Sequence, residues 1–206
     1  MKDWKDLASV ASLEKTISSL KEKGYNVLVV ENGAEALEKI KTLIPDGASV
    51  MNGASITLEK IGYLDYLKSG QHKWMDWHAK VDAENDKAKR SELRKQSALS
   101  DYYLGSVHAL SEDGQMVIAS NTGSQLPHIV FTSPNLIFVI GTQKITANLD
   151  EAMKRLEDYV VPLEDAHMKS LYGNGTQVSK IVIFRKENPM MGRKINIILV
   201  KEELGF

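Results

Sequence analysis

The sequence predicts an α/β fold built around a mainly parallel sheet, with a helical segment in front of it. Two apolar runs, NVLVV and ASVM, are each followed by a helix pattern, which is the order found in parallel sheets. Further strand-like runs follow residue 102 and are separated by short polar turns. With 206 residues, of which 43% are hydrophobic and 26% are charged, the chain has the size and composition of one globular domain.

The chain begins with a predicted amphipathic helix. Apolar residues recur every three or four positions from Leu7 to Leu20, and Gly24 ends the pattern. We therefore predict an N-terminal helical segment over residues 1–24 and an α/β domain over residues 25–206.

Two strand–helix units follow this segment. NVLVV is the first predicted strand, and the helix after it begins at Asn32, has Glu35 in the capping-box position and ends at Pro45. ASVM is the second strand, and the stretch ITLEKIGYLDYLKSG predicts one helix. Residues 82–99 are helical by propensity but mostly charged, which predicts a helix at an edge or against a partner.

The second half of the chain predicts more strands. YYLGSVHAL, QMVIAS, HIVF and LIFVIG are strand-like, and KIVIF and KINIILV are the last two strands. Between LIFVIG and KIVIF, a helix is predicted from Leu149 to Tyr159, with Asn148 as its cap and Pro162 as its end. Residues 163–179 then predict a loop.

Composition and charge exclude several classes of function. The net charge of -1 provides no general field for nucleic acid or an anionic membrane. The absence of cysteine removes disulfides, thiolate metal sites and cysteine nucleophiles, and no histidine spacing indicates a metal site. The apolar runs are far shorter than the roughly 20 residues of a membrane-spanning helix. We expect a cytoplasmic protein without a cofactor, a bound metal, a nucleic-acid partner or a membrane.

The turn after the second strand is the first candidate binding segment. Asn52 and Gly53 turn the chain, and a helix is predicted to begin at Ser55 and to include Thr57. The first turn of a helix has unpaired N–H groups and partial positive charge, and phosphates and carboxylates bind there. A plain N-cap at Ser55 explains the same residues.

The turn at 111–114 holds the candidate catalytic residue. Glu112 lies in a Ser-Glu-Asp-Gly turn, where its carboxylate is predicted to act as a nucleophile or as a general base. His108 lies four residues earlier and is a candidate binding residue near it. A solvated hairpin turn and a packed histidine are the alternatives.

A polar loop and a lysine complete the candidate site. Asn121, Gly123 and Ser124 belong to a glycine-centred loop whose N–H groups are predicted to hold an anion. Lys144 follows the strand LIFVIG and is predicted to supply a positive charge at the same sheet edge. An ordinary loop and a surface lysine explain these residues equally well.

The chain resembles the lactate-utilisation (LUD) domain family. The resemblance is carried by VLVVENGAEALEKIKTLIPDGASV, MNGASITLEKIGYLDYLKSG, ALSEDGQMV, IFVIGTQKITANLDEAMKRL and GRKINIILVKEELGF, in this order along the chain. It implies the fold shared with ribose-5-phosphate isomerase, glucosamine-6-phosphate deaminase and CoA transferases, a three-layer α/β sandwich. Some relatives have cysteines in the region of residues 167–180, whereas this chain has none.

The resemblance also implies a role in oxidising L-lactate to pyruvate beside iron–sulfur subunits. We expect an accessory component that binds a small anionic metabolite. The alternatives are a CoA-transferase-like or sugar-phosphate-isomerase-like enzyme that uses Glu112, and a non-catalytic subunit. Ser-Glu-Asp-Gly is similar to the Ser-Glu-Asn-Gly motif of some CoA transferases, whose glutamate forms a thioester with CoA. A homo-oligomer is compatible with each of these roles.

Overall fold

The computed structural model describes residues 3–206 and contains two sheets and eight α-helices within that range. The strands are β1 (Asn26–Val30), β2 (Ser49–Asn52), β3 (Met75–Asp76), β4 (Tyr102–Gly105), β5 (Ala109–Ser111), β6 (Met116–Ser120), β7 (Asn135–Gly141), β8 (Ile145–Thr146), β9 (Lys180–Phe184) and β10 (Lys194–Val200). The helices are α1 (Val10–Glu22), α2 (Gly33–Leu43), α3 (Ile56–Lys60), α4 (Tyr63–Lys68), α5 (Trp77–Asp82), α6 (Lys87–Ser97), α7 (Leu149–Arg155) and α8 (Val161–Tyr172).

The larger sheet has six strands in the order β1-β10-β7-β4-β2-β3, and every pairing in it is parallel. The smaller sheet has the order β8-β5-β6-β9 and contains both parallel and antiparallel pairs. The predicted α/β class, with a mainly parallel sheet and an N-terminal helix, is confirmed. The arrangement is that of a three-layer α/β sandwich.

The central strands β7 and β10 are apolar on both faces. Ile137 and Val139 pack on one side with residues of α2, α3 and α4. Phe138 and Ile140 pack on the other side with Leu20 of α1 and with residues of β5 and β6. Alternate residues of a strand point to opposite faces, so one continuous apolar run supplies both layers of the core.

One polar pair lies beside these apolar strands. Asn26 and Asn196 are register partners in the β1–β10 pairing, and the Asn26 amide Nδ2 donates to Asn196 Oδ1 at 2.7 Å. Asn196 is a buried residue.

The predicted caps are present. Asn32 begins α2 and its side chain accepts from the Glu35 backbone N–H, while Asn148 accepts in the same way from Glu151 at the start of α7. Both contacts satisfy N–H groups that a helix start leaves unpaired.

Four predicted elements are wrong. The single strand predicted over YYLGSVHAL is divided into β4 of the larger sheet and β5 of the smaller sheet. The single helix predicted after β2 is divided into α3 and α4 at Gly62, whose φ of +78° is incompatible with a continuing helix. HIVF forms a π-helical turn, His128–Thr132, where a strand was predicted. The helix that begins at Leu149 continues through Pro162 to Tyr172, so much of the loop predicted over 163–179 is helix.

A π-helical turn explains how the helix passes the proline. Leu156–Val160 forms this turn between α7 and α8, directly before Pro162. Proline lacks a backbone N–H and clashes with the preceding turn of a regular helix, and an irregular turn removes that conflict. The helix ends at Gly173, where φ is +73°.

Arg193 holds the π-helical turn at His128–Thr132 against the larger sheet. Its guanidinium donates to the carbonyl oxygens of His128 and Ile129 at 2.9 Å and of Ser133 at 3.0 Å. It also donates to Glu187 at 2.7 Å, and the arginine side chain is only 5% exposed.

Replacing Arg193 by Met should therefore destabilise the fold strongly. It leaves three carbonyl groups and Glu187 without their donor, and we expect a loss of roughly 3 kcal/mol in the free energy of unfolding. Lys73→Met is the control, because Lys73 forms an ion pair with Asp46 but is 77% exposed, and its loss should change the stability far less. Urea unfolding measures both, and equal losses would contradict the role given to Arg193.

Candidate functional site

A cavity of about 350 Å³ lies at the edge of the larger sheet where β2 and β4 end. Parallel strands share one carboxyl edge, which is the usual place for a ligand in such sheets. Polar side chains line part of the wall: Ser55, Thr57, Ser106, His108, Ser120, Asn121, Thr122, Ser124, Gln125, Lys144, Glu164, Thr176 and Gln177. Apolar side chains of β6, α8 and the C-terminal segment line the rest.

Gly53 brings the first wall of the cavity close to the sheet. A Cβ atom at this position would lie 2.4 Å from the hydroxyl oxygen of Tyr103, so any side chain would collide with the tyrosine. Tyr103 in turn stacks on His128 with a ring-centroid distance of 4.7 Å. Glycine is required here for close approach.

Lys144 supplies the buried amine of the cavity. It ends the short 3-10 turn Thr142–Lys144 after β7 and is only 3% exposed. Its Nζ lies 3.0 Å from Thr57 Oγ1, 3.2 Å from Ser106 Oγ and 3.2 Å from the carbonyl oxygen of Val107. The amine thus connects α3 to the chain that leaves β4.

The surroundings of Lys144 disfavour its positive charge. Burial lowers the pKa of this amine well below its ordinary value, and the nearby charges of Arg155 and Lys60 lower it further. Within residues 3–206, no carboxylate forms an ion pair with it.

Arg155 is a buried cation behind the cavity wall, next to the lining residue His108. It is 0% exposed, and its Nη1 donates to the carbonyl oxygen of His108. Its Nε and Nη2 atoms have no hydrogen-bond partner within the described part of the chain. Burial lowers its pKa to about 10, so it stays charged at neutral pH. A buried charge of this kind is costly unless something compensates it.

His108 is a neutral histidine on the cavity wall. Its Nδ1 accepts from the Ala119 backbone N–H at 3.1 Å, which places the ring proton on Nε2. Burial and the charges of Lys144 and Arg155 lower the pKa of this imidazole to about 3. At neutral pH it therefore offers one N–H donor and no charge.

Glu164 on α8 is the acidic residue of the cavity wall. Burial raises the pKa of its carboxyl group, against the opposing charge of His167. A carboxyl group held closer to its acid form is a candidate proton donor. The sequence prediction missed it because the helix was expected to end at Pro162.

The C-terminal segment closes the cavity behind Thr57. The carbonyl oxygen of Leu204 accepts from Thr57 Oγ1 at 3.1 Å and from Gln143 Nε2 at 3.0 Å. Gly205 packs so closely on Thr57 that a Cβ atom would lie 2.6 Å from the threonine hydroxyl. Phe206 lines the cavity itself.

The structure brings most of the predicted binding residues together. The cavity is lined by Gly53, Ser55, Thr57, His108, Asn121, Ser124 and Lys144. Asn52 and Gly123 adjoin this wall: Asn52 is buried with an unpartnered Oδ1 within residues 3–206, and Gly123 donates its N–H to Ser120 Oγ at 2.8 Å. The binding role of all nine residues stays a prediction. Ser55 caps α3 by accepting from the Leu58 N–H, and this helix has only five residues.

Glu112 lies elsewhere. Its carboxylate accepts from Lys15 Nζ of α1 at 2.8 Å, and it is not part of the cavity wall. The expectation that the Glu112 turn shares this cavity is wrong. β5 leads away from His108, and four residues of extended chain put Glu112 roughly 13 Å further along.

The comparisons with known proteins agree with this architecture. The family model of the LUD domain matches residues 13–200. This chain belongs to the LUD domain family. A DUF162 family protein from Deinococcus radiodurans is similar to this LUD chain over 95% of its length and 99% of that protein, with a TM-score of 0.56 and 12% identity. Ribose 5 phosphate isomerase A from Neisseria gonorrhoeae is similar over 84% of this chain and 94% of that one, with a TM-score of 0.40 and 12% identity. No curated protein matches the chain.

The resemblance found in the sequence is thus confirmed. At the family level, this LUD domain is a lactate-utilisation-related protein. No helix among the described residues is both long and apolar enough to cross a membrane.

The lowered pKa of Lys144 should make the fold more stable at alkaline pH. Between the lowered pKa of the folded state and the ordinary value of 10.5, the unfolded chain binds more protons, so unfolding becomes harder as pH rises. We expect the free energy of unfolding of the wild type to increase, relative to that of Lys144→Met, from pH 7 to pH 10. Denaturant titrations at each pH measure this difference, and a difference that does not change with pH would contradict the assignment.

Two histidines should make the fold acid-sensitive. Burial lowers the pKa of His128 to about 4 and that of His108 to about 3, so both are neutral in the folded protein. Stability is then lost as pH falls through 6.5, by about 2 kcal/mol per histidine between pH 7 and pH 5. His128→Gln should weaken this loss, as followed by urea unfolding, and an unchanged loss would show that His128 is not its source.

Proposed function

We propose that this LUD chain binds a small carboxylate metabolite, a 2-hydroxy or 2-oxo acid, in the cavity around Lys144. It would serve as an accessory, substrate-handling component of the oxidation of L-lactate to pyruvate in the cytoplasm. The observation that carries the proposal is the buried amine of Lys144 on the cavity wall with the buried, charged guanidinium of Arg155 behind that wall, neither of which forms an ion pair with a carboxylate within residues 3–206.

The charge of Arg155 supports an anionic ligand. This guanidinium is fully buried, remains charged at neutral pH and has two nitrogen atoms without partners in residues 3–206. The guanidinium lies behind the cavity wall, where it donates to the carbonyl oxygen of His108, and its central carbon lies 5.2 Å from the ring centroid of Tyr159. A positive charge next to a cavity lowers the energy of an anion inside it, because the low polarity of the surroundings strengthens their attraction.

The wall chemistry supports a small hydroxy or oxo acid. Hydroxyl groups of Ser55, Ser106, Thr122 and Ser124 and the neutral imidazole of His108 offer hydrogen-bond donors for carboxylate, hydroxyl or carbonyl oxygens. The volume of about 350 Å³ lies at the lower end of the range for small-molecule sites.

Family membership supports the pathway. LUD proteins are lactate-utilisation-related, and L-lactate and pyruvate are both small carboxylates with an oxygen on the neighbouring carbon. The chain has no cysteine for an iron–sulfur cluster. The proposal therefore assigns electron transfer to separate iron–sulfur subunits.

Ligand-dependent thermal unfolding tests the proposal. L-lactate or pyruvate at a hundred times its dissociation constant should add about 2.7 kcal/mol of stability, which is roughly 5–10 °C in Tm for a chain of this size. Acetate has the carboxylate but no neighbouring oxygen, so it should give a smaller shift. Ribose 5-phosphate tests the sugar-phosphate alternative.

Two variants make this experiment specific. Lys144→Met should lose most of the ligand-dependent shift, whereas Lys169→Met should keep it, because Lys169 is exposed on α8 and paired with Asp165. No shift with any carboxylate would refute the proposal. A shift with ribose 5-phosphate alone would favour a sugar-phosphate ligand in its place.

A further inference from the structure

Lys144 has a set of partners that suits a reactive amine. Thr57 uses its own hydroxyl proton on the carbonyl oxygen of Leu204, so it can only accept from Lys144, and the carbonyl oxygen of Val107 is also only an acceptor. Ser106 Oγ accepts from Lys144 at 3.2 Å, and its own hydroxyl proton is directed to the carbonyl oxygen of Val107 at 3.4 Å. All three partners of the amine are thus neutral oxygen atoms, and a rotation of the Ser106 hydroxyl would let it donate to the lone pair of a neutral amine.

Ser106 is the partner that controls the lone pair of a neutral Lys144 amine. Ser106 follows β4 and lines the cavity together with Lys144, so the Ser106 hydroxyl is the only described side-chain group in this partner set that can hold the lone pair. A rotation of that hydroxyl releases the lone pair toward a bound molecule.

A purely structural lysine would have different surroundings. Buried lysines that serve the fold are normally paired with a carboxylate, because an unpaired buried charge is costly. Lys144 instead lies near two other positive groups, Arg155 and Lys60, and among neutral oxygen atoms. Burial beside cations is a recognised way to keep a lysine amine neutral and nucleophilic.

We propose that Lys144 forms an imine with the keto carbonyl of a 2-oxo acid bound in this cavity. The proposal rests on the proposed function and adds a covalent step to it. A 2-oxo acid suits both features of the site: its carboxylate is attracted by the positive charge of Arg155 behind the wall at His108, and its carbonyl carbon is the electrophile that the amine requires.

The chemical step balances within the cavity. The Nζ lone pair forms a bond to the carbonyl carbon, and the C–O π bond breaks to give an alkoxide. The Ser106 hydroxyl, now released from the amine, donates a hydrogen bond to that alkoxide. An amine proton then moves to the oxygen and gives the neutral carbinolamine. Glu164, whose carboxyl pKa burial raises, is the wall residue that protonates the hydroxyl group, which leaves as water while the C=N bond forms. The resulting iminium returns one proton to the Glu164 carboxylate and becomes the neutral imine.

Reductive trapping tests this step on the full chain. The protein is incubated with pyruvate and sodium cyanoborohydride, digested with trypsin and mapped by mass spectrometry. The expected product is a carboxyethyl group on Lys144, which also blocks cleavage after this residue. Each unit by which the pKa falls raises the neutral fraction about tenfold, so Lys144 should carry at least about ten times more adduct than an exposed lysine.

Controls separate the covalent step from binding alone. L-lactate has no carbonyl group, so it should give no adduct by itself and should slow trapping of pyruvate when added in excess. Lys169→Met should label like the wild type, and Lys144→Met should lose the specific adduct. Mapping the wild-type protein decides the question even where Lys144→Met fails to fold.

Each outcome has a distinct meaning. Preferential adduct on Lys144, competed by lactate, supports the imine. Stabilisation by pyruvate without an adduct on Lys144 overturns the imine and leaves the proposed binding function intact. An adduct spread evenly over the exposed lysines also overturns the imine, and the absence of both stabilisation and adduct overturns the two proposals together.

Discussion

The cavity depends on one set of hydrogen bonds, those of the buried Lys144 amine to Thr57, Ser106 and Val107. They join a helix that follows β2 to the chain that leaves β4, and so fix the separation of two neighbouring strand ends. The same amine is only 3% exposed and forms no ion pair with a carboxylate among residues 3–206. The amine that holds this region together is therefore also in an environment that disfavours its charged form, as is common at functional sites.

Local sequence signals were enough for most of the larger sheet. NVLVV, LIFVIG and KINIILV are uninterrupted apolar runs, and Asn32 and Asn148 mark helix starts through contacts three residues away. The failures lie where distant contacts decide. HIVF has strand-like residues, but Arg193 stabilises a π-helical turn there from the far end of the chain. Proline normally ends a helix, and Pro162 is accommodated here by the π-helical turn that precedes it.

The site was predicted in part for a similar reason. The segment at 52–57 lies at the carboxyl edge of the parallel sheet, as its topology requires. The loop at 121–124 follows β6 of the smaller sheet and meets that edge through the packing of the two sheets. Glu112 was attractive by residue type, yet its hairpin leads toward Lys15. Arg155 was missed because nothing in an ordinary charged helix indicates which arginine faces inward. Its burial follows from the packing of that helix on the second sheet.

The Asn26–Asn196 pair has a consequence for how the large sheet assembles. Strands that are apolar on both faces can shift in register by two residues and still bury the same kinds of atoms, so hydrophobicity alone distinguishes these registers poorly. A register shift would separate the two amides and leave the buried side chain of Asn196 without this hydrogen bond. This contact therefore favours one register of the first and last strands over others that would otherwise compete during folding.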